Sequence, residues 1–310
     1  MEAPVTTLLD AAATAERLPY DLLVRQLEAL LADPAVQVPE RLVQALPGGG
    51  SLFVMPALDA RIAITKLITF TPANAGTGRA TIQGDVVVFD IATGARLLVL
   101  DGPMVTARRT AAVSLLAAQR LAPNPDGPLL IVGAGAQGLS HLEAFAQGLP
   151  ALREVRIASR SAASAQALAG RARELGLRAA VVPDANAALA DCPLVVTCTP
   201  ASGVVLSALP RDDAFIAAVG AFTPMMVELS AALCRHCAEV GSVIVDTTDA
   251  LHEAGDLLQA GLDVAGFATL RDVAAGTAAA AQGPVLFKSC GWAGWDLAAA
   301  RAAMTAGRPG

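Results

Sequence analysis

The stretch Leu129–Phe145, "LLIVGAGAQGLSHLEAF", decides the fold. Four apolar residues make a short buried-strand pattern, glycines follow at Gly133, Gly135 and Gly138, and apolar residues then recur at helical spacing. The order is strand, tight turn, helix. In that context the glycines have separable roles. The first makes the turn, the second lets backbone approach a pyrophosphate, and the third lets the helix pack closely. The free N–H groups of the helix start face the anion. Ala136 and Gln137 lie inside the same turn and join the expected dinucleotide contacts.

Downstream the rhythm persists. "REVRIASR", "RAAVV", "LVVTCT", "AFIAAVG" and "VIVDTT" are short Val/Ile-rich or Ala-rich runs separated by helical segments. Strands alternating with helices predict a parallel sheet covered on both faces, a Rossmann-type doubly wound fold over residues 123–292, with "VIVDTT" as its last main strand. The second strand ends in Ser159, Arg160 and Ser161, where a site for NAD usually carries an acid on the ribose 2′-hydroxyl. A guanidinium flanked by hydroxyls suits a 2′-phosphate instead, so NADP(H) is preferred and NAD(H) is the second choice. The plain alternative is a solvated Arg after a strand.

Upstream the pattern differs. "LPYDLLVRQLEALLADP" reads as a helix, "SLFVMPAL" and "RIAITKLITF" as strands, "DVVVFDIATGARLLVLDG" as a hairpin and "MVTARRTAAVSLLAAQRLA" as a long helix. The Pro/Gly-rich "PNPDGP" follows as a linker. Residues 1–122 therefore form an α+β domain, completed by a C-terminal helix over 293–310.

Bulk properties exclude other classes. The 310 residues carry a formal net charge of −6 without a basic run, which argues against nucleic acid and anionic membrane surfaces. No apolar stretch of about 18 residues is uninterrupted, and the N-terminus lacks a signal-peptide pattern, so a cytoplasmic protein is expected. Five Cys make no disulfide framework. "CRHC", Cys234 to Cys237, lacks a second ligand pair and reads as thiols lining a helix, so no metal is expected.

"VMPAL", "TKLITF", "GRATIQGDVVVFD", "LDGPMVTARRTAA", "VGAGAQG" and "LFKSCGWAGWDLAAA" occur in this order between about Arg41 and Ala300. Together they resemble the ornithine cyclodeaminase/mu-crystallin family. The resemblance implies a substrate and dimerisation domain, a nicotinamide-dinucleotide domain and a homodimer. It implies that Lys66 and Arg109 hold a substrate carboxylate, with Arg41 as a third, less securely matched cation. It also implies cofactor contact at Thr81 and over Gly133 to Gly138; Thr197 is expected to contact the cofactor as well. An α-imino or α-amino acid needs such cations, because its carboxylate must be fixed for its reacting carbon to face the nicotinamide.

Two departures from the cyclodeaminase pattern matter. Phe222, in "VGAFTPMMVEL", and Phe53, in "SLFVMP", stand where cyclodeaminases have an Asp and a Glu. Phe cannot move a proton, whereas oxidising an amine needs a base near nitrogen. Reduction of a preformed cyclic ketimine needs only hydride and orientation, and both Phe suit a ring substrate. Glu228 and Asp246 are nearby acids but do not simply inherit the role. Lys288 and Ser289 either join the domains or touch cofactor. His141 and His236 lie in helices, and His252 reads as a solvated helix-start residue. The expected activity is NADP(H)-dependent reduction of a cyclic ketimine or the equivalent imino/amino acid. The alternatives are an NAD-dependent ornithine cyclodeaminase and a dinucleotide-bound, crystallin-like binding protein with little turnover.

Overall fold

The computed structural model describes residues 6–74, 77–200, 202–278 and 282–306. The extreme N-terminus and the last four residues of the helix expected over 293–310 lie outside them. In chain order the elements are β1 (Thr7–Leu8), α1 (Ala11–Glu16), α2 (Tyr20–Ala32), β2 (Leu42–Leu46), β3 (Gly50–Leu58), β4 (Ile62–Phe70), β5 (Ile82–Asp90), β6 (Arg96–Asp101) and α3 (Gly102–Leu121). There follow β7 (Leu129–Val132), α4 (Ala136–Gly148), β8 (Glu154–Ala158), α5 (Ala162–Glu174), β9 (Arg178–Val181), α6 (Ala185–Leu189), β10 (Leu194–Thr197), β11 (Ser202–Leu206), β12 (Phe215–Ala218) and β13 (Val227–Leu229). The rest are α7 (Ala231–Val240), β14 (Ser242–Val245), α8 (Ala250–Glu253), α9 (Gly255–Gln259), β15 (Ala268–Thr269), α10 (Leu270–Ala274), β16 (Val285–Lys288) and α11 (Ala293–Ala306). Two compact units divide the chain: Met1–Arg109 with Trp292–Gly310, and Thr110–Gly291. The division falls inside α3 and not at the "PNPDGP" linker after it.

The first unit is α+β. Its six-stranded sheet has the order β1-β6-β5-β4-β3-β2 and is antiparallel except for the β1–β6 pair. Alternation in "IAITKLITF" puts Ile62, Ile64, Lys66 and Ile68 on the buried face, while Leu67 points outward. The register sets Met55, Lys66, Val86 and Leu100 in one cross-strand row, all buried. Helix α11 packs on β3, β4 and β5 and against α2, whose Leu23, Leu27, Leu30 and Leu31 are buried at helical spacing. Arg301 of α11 pins that packing by bonding Asp59 and Asp33, both at 2.6 Å.

The second unit holds an eight-stranded parallel sheet in the order β15-β14-β16-β12-β10-β7-β8-β9. From β7 the chain winds outward through β8 and β9, then crosses back to β10 on the other side. That reversal makes the ends of β7 and β10 the switch point at which such sheets bind ligands. One expectation needs correcting. "VIVDTT" is not the last main strand, because Val285–Lys288 forms β16 and inserts between β12 and β14. Four residues without alternation carry no period by which to recognise a strand, and this one is buried on both faces.

Candidate functional site

The glycine turn is built as its spacing requires. Gly133 has φ +115°, and a Cβ there would stand 2.7 Å from the Cys198 carbonyl oxygen. Its N–H donates to the Ala158 carbonyl at 2.9 Å, tying the turn to the end of β8. A Cβ on Gly138 would strike the Gly133 carbonyl, so only glycine lets α4 start this close to β7. Gly135, the N-cap of α4, has nothing within 4 Å of the place a Cβ would occupy. Open space over the second glycine, at the first turn of a 13-residue helix, is what a pyrophosphate needs. These residues fit a dinucleotide.

Arg160 is exposed beyond β8, beside the partly buried Ser159. Ser161 caps α5, its Oγ accepting the Ser164 N–H at 3.2 Å. A guanidinium, hydroxyls and a helix N-terminus thus lie together at the end of the second strand. Thr197, expected to touch cofactor, is fully buried, and its hydroxyl donates to Glu228 Oε2 at 3.1 Å. Its hydroxyl thereby ties the end of β10 to Glu228.

Glu228, for which the sequence suggests no role, organises the loops at the strand ends. One carboxylate accepts the Thr199 N–H at 2.6 Å, the Thr199 hydroxyl at 2.8 Å, the Gly220 N–H at 2.7 Å and the Thr197 hydroxyl. It therefore joins the loop after β10 to the loop after β12. Burial pushes the Glu228 carboxyl above the usual range, while Lys288 and the Thr199 donors pull against that shift. The Glu228 and Leu229 N–H groups donate to Asp256 Oδ1 at 2.6 and 2.9 Å, and Asp256 pairs with Lys288 at 2.9 Å. Lys288 is wholly buried. Burial lowers its affinity for the proton, but Asp256 and other nearby negative groups outweigh that and raise its pKa. Ser289 donates to Asp246 Oδ2 at 2.8 Å, which also accepts the Cys290 and Gly291 N–H groups. Lys288, Ser289, Glu228 and Asp246 thus form the frame behind the strand ends of this unit.

In the first unit three cations gather. Lys66 projects from the middle of β4 and is 1% exposed; Arg109 of α3 is 6% exposed; Arg41, just before β2, is partly exposed. Lys66 Nζ and Arg109 Nε both reach Asp296 Oδ1 of α11, at 3.2 and 3.3 Å. Burial pulls the Lys66 ammonium down to about 8; Asp296 opposes this, and the Arg109 and Arg41 charges reinforce it. The neighbouring Arg108 turns away, bonding the Leu18 carbonyl and lying 4.1 Å over the Tyr20 ring. Two buried cations share one acid, so the cluster keeps a net positive charge that a substrate carboxylate can answer. Asp296 lies within "GWDLAAA". Its partners lie 230 and 187 residues away, beyond any sequence period.

The other expected residues fall in either unit. Phe53 pairs with Ile68 across β3 and β4, one cross-strand step from Lys66 on the same face. Thr81 immediately precedes β5, its carbonyl accepting the Thr71 N–H at 2.8 Å. Phe222 belongs to the second unit, partly buried against the hydrophobic cluster that includes Leu257, Cys234 and Cys237. His141 is buried; one ring nitrogen faces the Gln137 carbonyl at 2.8 Å and the other the Ser114 hydroxyl at 3.0 Å. Burial holds it down to about 4, a neutral ring. His252 is exposed and His236 half-buried. Among the described residues no group of three or more His, Cys, Asp or Glu is placed to hold a metal ion. No described helix is long and apolar enough to cross a membrane.

Comparison with known proteins bears on this geometry. A Delta(1)-pyrroline-2-carboxylate reductase of Burkholderia multivorans is 39% identical over 308 residues, covering 97% of this chain and 96% of that protein. The ketimine reductase mu-crystallin of Mus musculus is 35% identical over 292 residues, covering 90% of each. An archaeal alanine dehydrogenase dimer with bound NAD superimposes with a TM-score of 0.86 at 25% identity, over 97% of this chain and 95% of that one. The model of the ornithine cyclodeaminase/mu-crystallin family matches residues 5–305, and the chain belongs to that family.

Proposed function

We propose that this protein is an NADP(H)-dependent reductase of cyclic ketimines bearing a carboxylate, of the Delta(1)-pyrroline-2-carboxylate type. The observation that carries the reading is the buried Lys66–Asp296–Arg109 cluster with Arg41 in electrostatic reach. It sets two buried cations, Lys66 and Arg109, against one acid in the first unit, in a chain whose relatives are named for imine reduction.

The second unit is the cofactor domain. Gly133, Gly135, Ala136, Gln137 and Gly138 receive the pyrophosphate, and Ser159, Arg160 and Ser161 take a 2′-phosphate, which favours NADPH over NADH. The first unit is the substrate domain, where Lys66 and Arg109 hold the carboxylate and Arg41 is a third cation beside them. Phe53 offers the ring an apolar flank. When bound, reduced nicotinamide supplies hydride to the imine carbon. The imine arrives protonated, so the product amine forms without a protein base. Phe53 and Phe222 bring no carboxylate, and Glu228 already satisfies four donors, so ornithine deamination lacks the base that typically contributes about 10²–10⁴-fold. A homodimer is part of the reading, supported by the dimeric alanine dehydrogenase of the same fold. The test is to supply five- and six-membered ketimine carboxylates with NADPH or NADH and follow loss of the reduced cofactor. Turnover with these and none with ornithine supports the assignment.

A further inference from the structure

The inference rests on the carboxylate-binding reading just given and concerns what arranges its cations. Asp296 is fully buried. Its Oδ1 serves both Lys66 Nζ and Arg109 Nε, while its Oδ2 has no hydrogen-bond partner among the described residues. Three elements thereby converge on one atom: β4 brings Lys66, α3 brings Arg109 and α11 brings Asp296. A shared acceptor oxygen fixes the spacing of the two cationic heads, because each is tied to the same point. With one acid for two buried cations, the pair is held together yet stays positive.

We propose that Asp296 is a positioning residue for imine reduction: through its single shared oxygen it holds Lys66 and Arg109 at the spacing that receives the substrate carboxylate. It touches neither substrate nor cofactor in this role. The charged groups that bear on Lys66 are Asp296 from α11, Arg109 from α3 and Arg41 from the segment before β2. Of these only Asp296 favours the ammonium, against burial and both guanidiniums.

The experiment is the pH profile of kcat/KM for a cyclic ketimine carboxylate in Asp296→Asn, with NADPH affinity measured alongside. In the wild type the alkaline limb marks loss of the Lys66 proton near pH 8. Without the acid that limb moves to lower pH by about one unit or more, and KM rises about tenfold near pH 7.5 while kcat and NADPH affinity change little. A limb left in its wild-type place overturns the proposal. Asp296→Glu keeps the charge but displaces the oxygen by one methylene, and decides the matter if the Asn variant does not fold. Its limb stays near the wild-type position while KM rises several-fold; a wild-type KM in that variant also overturns the proposal. Lys66→Met separates the two readings. An unchanged KM there removes the carboxylate site itself, whereas a raised KM with an inert Asp296→Asn removes only the positioning role.

Discussion

The Glu228 carboxylate accepts both the N–H and the hydroxyl of Thr199, at 2.6 and 2.8 Å, and so locks the loop that leaves the sheet at its switch point. With the Gly220 N–H on its other oxygen, the same side chain fixes the loop after β12. A Cβ at Gly220 would collide with Glu228, so the glycine and the acid are built for each other. Glu228→Gln replaces one acceptor oxygen with an NH₂ group facing donors. The loss should be about 1–3 kcal/mol of stability, read in urea unfolding, together with weaker NADPH binding. A variant with wild-type stability and affinity would reduce this network to decoration.

The glycine turn offers a paired test. Gly133→Ala forces a left-handed φ and a clash with the Cys198 carbonyl, so it should destabilise the protein by more than about 1 kcal/mol. Gly135→Ala meets open space and should fold normally, yet weaken dinucleotide binding by about tenfold or more, because the methyl occupies the pyrophosphate's approach. Thermal melts and cofactor titrations distinguish the two. If Gly135→Ala leaves affinity intact, the dinucleotide does not sit over this turn.

How much of this could be read in advance depends on the range of the interactions. Alternation around Lys66 and the glycine spacing are local, and both elements stand where the pattern put them. The placement of β16 and the ion pairs of Asp296 and Glu228 are not local. Val285–Lys288 is too short to show a period, and its place beside β12 is set by topology. Asp296 sits in an Ala-rich helix whose neighbours say nothing about Lys66, 230 residues earlier. The bond of the Thr197 hydroxyl is equally non-local, since its partner lies 31 residues away. Charge needs carry little period in sequence. Packing decides who answers them.

The proposed preference for NADPH puts Arg160 at the 2′-phosphate. Arg160→Ala should weaken NADPH by about 1.5–3 kcal/mol while leaving NADH nearly unchanged, as expected for one lost charge-assisted contact. Titrating both cofactors against both proteins reads this out. Equal loss for the two would place Arg160 away from the 2′-phosphate.

His141 gives stability a pH dependence. Its folded pKa, about 4, lies below the ordinary 6.5, so the unfolded chain binds this proton more readily. Stability from the neutral ring is full above about pH 6.5 and is lost as pH falls toward 4, by up to about 3 kcal/mol. Denaturant unfolding at pH 7 and pH 5 should show the loss in the wild type and a smaller one in His141→Gln. Identical slopes would mean the ring does not stay neutral.

Direct reduction of a cyclic ketimine carbon can be followed by isotope transfer. NADPH carrying deuterium at both nicotinamide C4 positions is incubated with the protein and Δ1-pyrroline-2-carboxylate, and the proline formed is examined by mass spectrometry. One deuterium is expected at the α-carbon of each proline formed, and the yield of labelled proline falls as Lys66→Met slows turnover. Proline without deuterium, or oxidation of the cofactor without proline, would contradict direct reduction.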